Sequence, residues 1–154
     1  MKFTPHAGPA DYLAALEMIV NDIEAHPGRE LHSVPMTSVN LGSYLTTDII
    51  NKDEFWWGLL EPIKTLLNLG VPFVCTAGNK ATFPNRQMID EFPPAAQDPG
   101  TPLINVGAAK YDGERLDISQ YGNQLTIYAP GDDVEYQTKR DGKSGKDFGT
   151  SIGK

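Results

Sequence analysis

The stretch Gly70-Val71-Pro72-Phe73-Val74-Cys75-Thr76-Ala77-Gly78-Asn79 constrains this chain more than any other. An apolar run this short, bounded by glycine on both sides, reads as a buried strand that stops at a tight turn. The residues before it follow a helical pattern that ends at Gly70, a suitable left-handed residue just past a helix. A helix feeding a short apolar strand is half of a βαβ unit. Asn79 then falls just beyond the carboxyl end of a parallel strand, where open α/β sheets gather their chemistry. The expected fold class is therefore α/β, with a mostly parallel sheet.

In chain order, residues 10 to about 25 read as the first helix. Leu13, Leu16, Ile19, Val20 and Ile23 recur on one face, Pro9 opens the helix, and His26-Pro27-Gly28 closes it. Residues 36–41 read as a strand ended by Gly42-Ser43. Residues 43–52 are polar and turn-like, with Thr46, Thr47, Asp48 and Asn51 available as helix caps. From about Lys52 to Leu69 a second helix is expected to turn Phe55, Leu59, Ile63, Leu66 and Leu67 inward. Pro62 would kink it or mark its start. Trp56 and Trp57 read as packing residues, and Cys75 as a buried, inert thiol. Strand, helix and strand across residues 36–76 form a βαβ unit that should be right-handed. Five prolines punctuate a loop over residues 80–102. Residues 103–109 give a further strand, residues 124–129 another that stops at Pro130-Gly131, and residues 132–147 a polar tail.

Composition excludes some partners. The 154 residues suit one domain, and a net charge of -7 opposes binding to nucleic acid or an anionic membrane. No apolar run approaches the ~20 residues of a membrane span. Met1-Lys2-Phe3-Thr4-Pro5-His6 contains no apolar core of a secretory signal, and the sequence assigns no compartment. A single cysteine allows no internal disulfide. No acidic cluster has calcium spacing, so neither metal nor cofactor is expected.

Four blocks taken together carry more than any one of them: Ser38-Val39-Asn40-Leu41-Gly42, Thr76-Ala77-Gly78-Asn79, Tyr128-Ala129-Pro130-Gly131 and Phe148-Gly149-Thr150-Ser151. In that order they resemble the later part of the catalytic domain of the subtilisin-like serine peptidases. The resemblance covers about residues 10–152, leaving 1–9 as a tail and 153–154 as a truncated end. It implies a partial three-layer α/β fold and acyl-transfer chemistry on a peptide or protein substrate. Ser151 matches the nucleophile, in a block that opens a buried helix in the family. Asn79 matches the oxyanion-stabilising asparagine. Asn40, Leu41 and Gly42 match the edge that pairs with substrate backbone, and Thr76, Ala77 and Gly78 the wall of the pocket for the residue before the cut bond. Ser119-Gln120-Tyr121-Gly122 and Ala129-Pro130-Gly131 match structural segments.

The departures carry as much weight. The family's Asp-[Thr/Ser]-Gly and His-Gly-Thr blocks are absent from the sequence, and none of His6, His26 and His32 is followed by Gly-Thr. The chain alone is expected to be inactive, with the missing half of such a domain as a candidate partner. The alternatives are a degenerate, non-catalytic peptide-binding domain or a fragment without an independent fold. A parallel sheet with too few helices should also leave apolar surface uncovered.

Overall fold

The structure, a computed structural model, describes residues 8–137, 142 and 144–152. His6, most of the expected N-terminal tail and the last two residues lie outside that range.

Helix α1 (Pro9–Glu24) begins with Pro9 in its first turn, where a missing N–H costs nothing. The Asp11 carboxylate accepts a hydrogen bond from Gly8 N–H at 2.9 Å. Its inward face carries Leu16 and Ile23 as expected, and also Tyr12, whose ring meets the edge of Phe92 at 6.1 Å.

The single helix expected from about Lys52 is two helices, α2 (Thr47–Lys52) and α3 (Glu54–Asn68). Thr46 caps α2 by accepting from Ile49 N–H at 3.2 Å. The break falls at Asp53, whose extended backbone lets its carboxylate accept from Phe55 and Trp56 N–H at 2.9 and 3.3 Å. Pro62 lies inside α3 and does not start it, at the cost of one backbone hydrogen bond.

Phe55 was expected inward and is 53% exposed. Buried Leu60, beside Leu59, Ile63 and Leu66, turns the apolar face toward Trp56 and away from Phe55. Trp56 packs inward on Phe92 at 5.7 Å, and Phe55 meets Trp56 edge-to-face at 4.9 Å.

Four short strands form a parallel sheet in the order β1 (Met36–Thr37), β2 (Val74–Thr76), β3 (Ile104–Ala109), β4 (Ile127–Pro130). The helices α2 and α3 make the crossover from β1 to β2. Strand β1 is shorter than the expected 36–41, because the Thr37 hydroxyl accepts from Val39 N–H at 3.1 Å and diverts the backbone. Strands β2 and β4 likewise begin later than expected. Residues 132–147, expected as a polar tail, contain an antiparallel hairpin of β5 (Val134–Gln137) and β6 (Ser144–Asp147). Val134-Glu135-Tyr136-Gln137 alternates apolar and polar types over four residues only, and Ser144-Gly145-Lys146-Asp147 offers no apolar side chain to match it.

The core lies between the helices and one face of the sheet. Leu16, Ile63 and Leu66 from α1 and α3 share a buried cluster with Phe73, Cys75 and Ala77. Buried Cys75 donates to Asn105 Oδ1 at 2.8 Å, and Asn105 donates on to Pro94 and Gln124 carbonyls. Strand pleating turns Val74, Ile104, Val106 and Ile127 to the opposite face. There Val106 is buried but Ile127 is 55% exposed.

Two measurements follow from this arrangement. Ile63→Ala empties a site with no solvent contact and should cost about 2–5 kcal/mol in a denaturant titration. The native chain should bind a hydrophobic dye on the Ile127 face, and Ile127→Lys should lower that signal while changing stability by no more than about 0.5 kcal/mol.

Candidate functional site

The carboxyl ends of β2, β3 and β4 converge on one small region, and a chain of backbone bonds builds it. Gly131, just past β4, donates to Ala109 at the end of β3 at 3.0 Å. Its carbonyl in turn accepts from Gly149 N–H at 2.7 Å. A side chain at Gly131 could not fit, because a Cβ there would sit 2.7 Å from Ala108 Cβ and 2.8 Å from the Gly149 carbonyl oxygen. The segment 149–152 is thereby stapled over the sheet.

This staple delivers Thr150 to Asn79. The Asn79 side-chain oxygen accepts from Thr150 N–H at 2.9 Å and from the Thr150 hydroxyl at 3.0 Å. Both bonds need a carbonyl oxygen, so the orientation of the carboxamide is fixed and its NH2 is the end left over. That NH2 has no acceptor among the described residues, and Asn79 is exposed. Ser151 follows directly, half-buried, in a turn closed by Ile152 N–H to Gly149 carbonyl at 3.1 Å. Residues 149–152 form this turn and not a helix, so the expected helix opening is not found among the described residues.

The two expected walls also meet. Asn40 Nδ2 donates to the Thr76 carbonyl at 3.2 Å, and the Thr76 hydroxyl donates back to Asn40 Oδ1 at 3.3 Å. Leu41 is committed elsewhere: its N–H and carbonyl both pair with Phe92, at 2.8 and 2.9 Å. The edge expected over Asn40, Leu41 and Gly42 therefore offers the backbone of Asn40 and Gly42, which make no backbone bonds among the described residues. Gly42 holds a left-handed φ of 68°, and a Cβ there would strike the Trp56 ring at 2.7 Å. Ala77 and Gly78 are buried, and Gly78 carbonyl accepts from Gln120 N–H at 2.9 Å.

A charged cluster that the sequence did not reveal lies under these walls. Arg86 clasps Asp90 through two bonds, at 2.7 and 2.8 Å, and reaches Glu91 Oε1 at 2.9 Å. Gln120 and Tyr44 N–H donate to the same Asp90 carboxylate at 2.7 and 3.2 Å. Burial alone would push the Asp90 carboxyl up; Arg86, Gln120 and Tyr44 overcome it and hold the group below the ordinary carboxylate range. Arg86, Asp90 and Glu91 lie within five positions in a loop without periodic pattern, and Gln120 and Tyr44 come from 30 and 46 positions away, so no motif announces them.

The described histidines are not at this site's centre of bonding. His26 Nδ1 sits 2.7 Å from the Asp22 carbonyl at the end of α1, and His32 closes a short 3-10 turn over Arg29–His32. Among the described residues, no group of three or more His, Cys, Asp or Glu side chains is placed to hold a metal.

A parallel sheet backed by helices on one face, with a turn lodged over its strand ends beside an oriented asparagine, is the α/β fold of the subtilisin-like proteases. Three solved structures share it. The prenylagaramide maturation protease PagA superposes with a TM-score of 0.68 at 20% identity, over 99% of this chain and 47% of its own. The PatG macrocyclase, solved in complex with peptide, gives 0.67 at 21% identity, over 95% of this chain and 38% of its own. A cold-adapted subtilisin-like serine proteinase gives 0.70 at 17% identity, over 97% and 45%. The chain thus spans less than half the length of each. No family model matches the chain, and no characterised protein matches it in sequence.

The charged cluster sets an acid limit. Because the folded Asp90 pKa is depressed, its stabilisation is present at neutral pH and is lost as pH falls from about 4 through the folded value. Thermal unfolding should therefore shift down on acidification. Asp90→Asn should unfold about 1–3 kcal/mol more easily at neutral pH, since Arg86 keeps Glu91 but loses its charged partner in the two bonds to Asp90, and should respond less to acid.

Proposed function

We propose that this chain carries the nucleophile and oxyanion half of a subtilisin-like serine endopeptidase. The observation that supports it most is the Asn79 carboxamide, locked by Thr150 with its NH2 outward, one residue from Ser151. A donor held in place before charge develops costs nothing to reorganise during reaction. In this reading Ser151 Oγ bonds to the carbonyl carbon of the scissile peptide, and the carbonyl oxygen becomes an oxyanion that accepts from Asn79 Nδ2. The C–N bond then breaks, the serine proton leaves on the amine, and water releases the acyl group.

The proton needs a carrier. The sequence holds no His-Gly-Thr block, and the described histidines lie at the end of α1 and in the turn after it. The base and its orienting carboxylate would come from another segment or chain. A second reading, favoured by that missing base, is peptide binding without cleavage along Asn40 and Gly42.

The reading is tested with the purified chain. A fluorophosphonate probe should leave Ser151 unlabelled and peptide substrates should remain intact; stoichiometric labelling would show that no outside base is required. An extended apolar peptide titrated by NMR should shift the amides of Asn40, Gly42, Thr76 and Gly78. A folded chain in which these amides stay still would overturn both readings of the groove.

A further inference from the structure

The site contains an electrostatic mismatch that the proposed chemistry leaves unused. Arg86 is shared by two carboxylates, Asp90 and Glu91, so the cluster has one more formal negative charge than positive. All three side chains are largely buried, with Asp90 and Glu91 each 8% exposed. A buried charge without full compensation is costly, and the site is correspondingly receptive to a cation. Only Oε1 of Glu91 is used by Arg86; Oε2 has no donor among the described residues.

A second, independent group points to the same place. Gln120 is fully buried, and its NH2 donates to the Arg86 and Met88 carbonyls and to Asp90 Oδ1 at 2.7–2.9 Å. Three acceptors around one nitrogen fix the orientation of this amide, since the reverse would set oxygen against oxygen. Its Oε1 is then left buried with no donor among the described residues. That oxygen lies 2.0 Å from the point where a Cβ on Gly78 would sit, and Glu91 Oε2 lies 3.4 Å from the same point. Two acceptors, one of them a carboxylate oxygen, thus lie beside Gly78, and neither has a donor among the described residues.

Glu91 is placed between the two walls of the groove. Its neighbour Phe92 is bonded in both directions to Leu41, and its own Oε2 faces Gly78. It therefore occupies the floor between the 40–42 and 76–78 segments. We propose that Glu91 Oε2 and Gln120 Oε1 form a receptor for a cationic side chain, so that this groove selects peptides with arginine or lysine at the residue it takes in beside Gly78. This rests on the peptide-groove reading above and adds to it the chemical class of the substrate. A guanidinium or ammonium brings several N–H donors and one positive charge, which answers both oxygens and the excess charge together.

The experiment uses the full chain and fluorescent extended peptides of one sequence, varied only at that residue. Arginine is compared with citrulline, which keeps the shape without the charge, and lysine with norleucine. Arginine and lysine peptides should bind about tenfold tighter than their neutral counterparts, the effect of one charge-assisted hydrogen bond. In Glu91→Gln that advantage should shrink to less than about twofold, as expected when the carboxylate charge is removed. Equal binding of arginine and citrulline peptides by the unaltered chain would overturn the proposal while leaving the groove reading standing, and would leave the two oxygens to a bridging water. Failure of every peptide to bind would overturn the groove reading and this proposal with it. Should Glu91→Gln not fold, the arginine and citrulline pair on the unaltered chain decides the matter alone.

Discussion

The parallel ladder between β2 and β3 determines where every other part of the molecule can lie. Parallel strands cannot be joined by a tight turn, so the chain must leave the sheet and return across a face. Between β1 and β2 it returns through α2 and α3, which lay their apolar sides on Phe73 and Cys75. Between β2 and β3 it returns through the proline-rich loop, which carries Arg86, Asp90, Glu91 and Phe92 beneath the strand ends. Because all four strands run the same way, their carboxyl ends lie at one edge. The loops that leave the strands begin there.

At that edge, orientation is set by hydrogen-bond accounting. Asn79 presents its NH2 because Thr150 supplies two donors and no acceptor to the other end of its carboxamide. Thr150 is held there because Gly149 is bonded to Gly131, and Gly131 to β3. The bonds form a relay from the sheet to the exposed amide, and the absence of a side chain at Gly131 lets the layers approach. The same accounting applied to Gln120 gives the opposite result, an acceptor left without a donor. Asn79 has its donor end left over and Gln120 its acceptor end, each without a partner among the described residues.

Much of this was legible in the sequence. The apolar run ending in Gly78-Asn79, with a helical pattern before it, determined a βαβ unit and an α/β class, because periodicity records which faces must be buried. The order of the four blocks placed Asn79, Thr76 and Asn40 in one neighbourhood, and the structure brings Asn40 and Thr76 into mutual hydrogen bonds. Thr46 was visible as a cap for the same local reason. Such features depend on residues within a few positions of each other, and local rules suffice for them.

What only tertiary structure decided depends on partners far apart in the chain. Phe55 lost its inward place to Trp56 because the phase of α3 is set by the whole face, including Leu60, against the sheet. Leu41 was taken by Phe92, 51 positions on by the numbering, and so withdrawn from the open edge. The hairpin of β5 and β6 pairs a four-residue alternating strand with one that has no apolar side chain, so the pairing itself left no trace in the sequence. Arg86, Asp90 and Glu91 are near neighbours in the chain, but their burial and the bond from Gln120, 30 positions on, come only with the packed loop. Local periodicity fixes which elements form; long-range packing and charge compensation fix which of their groups remain free to act.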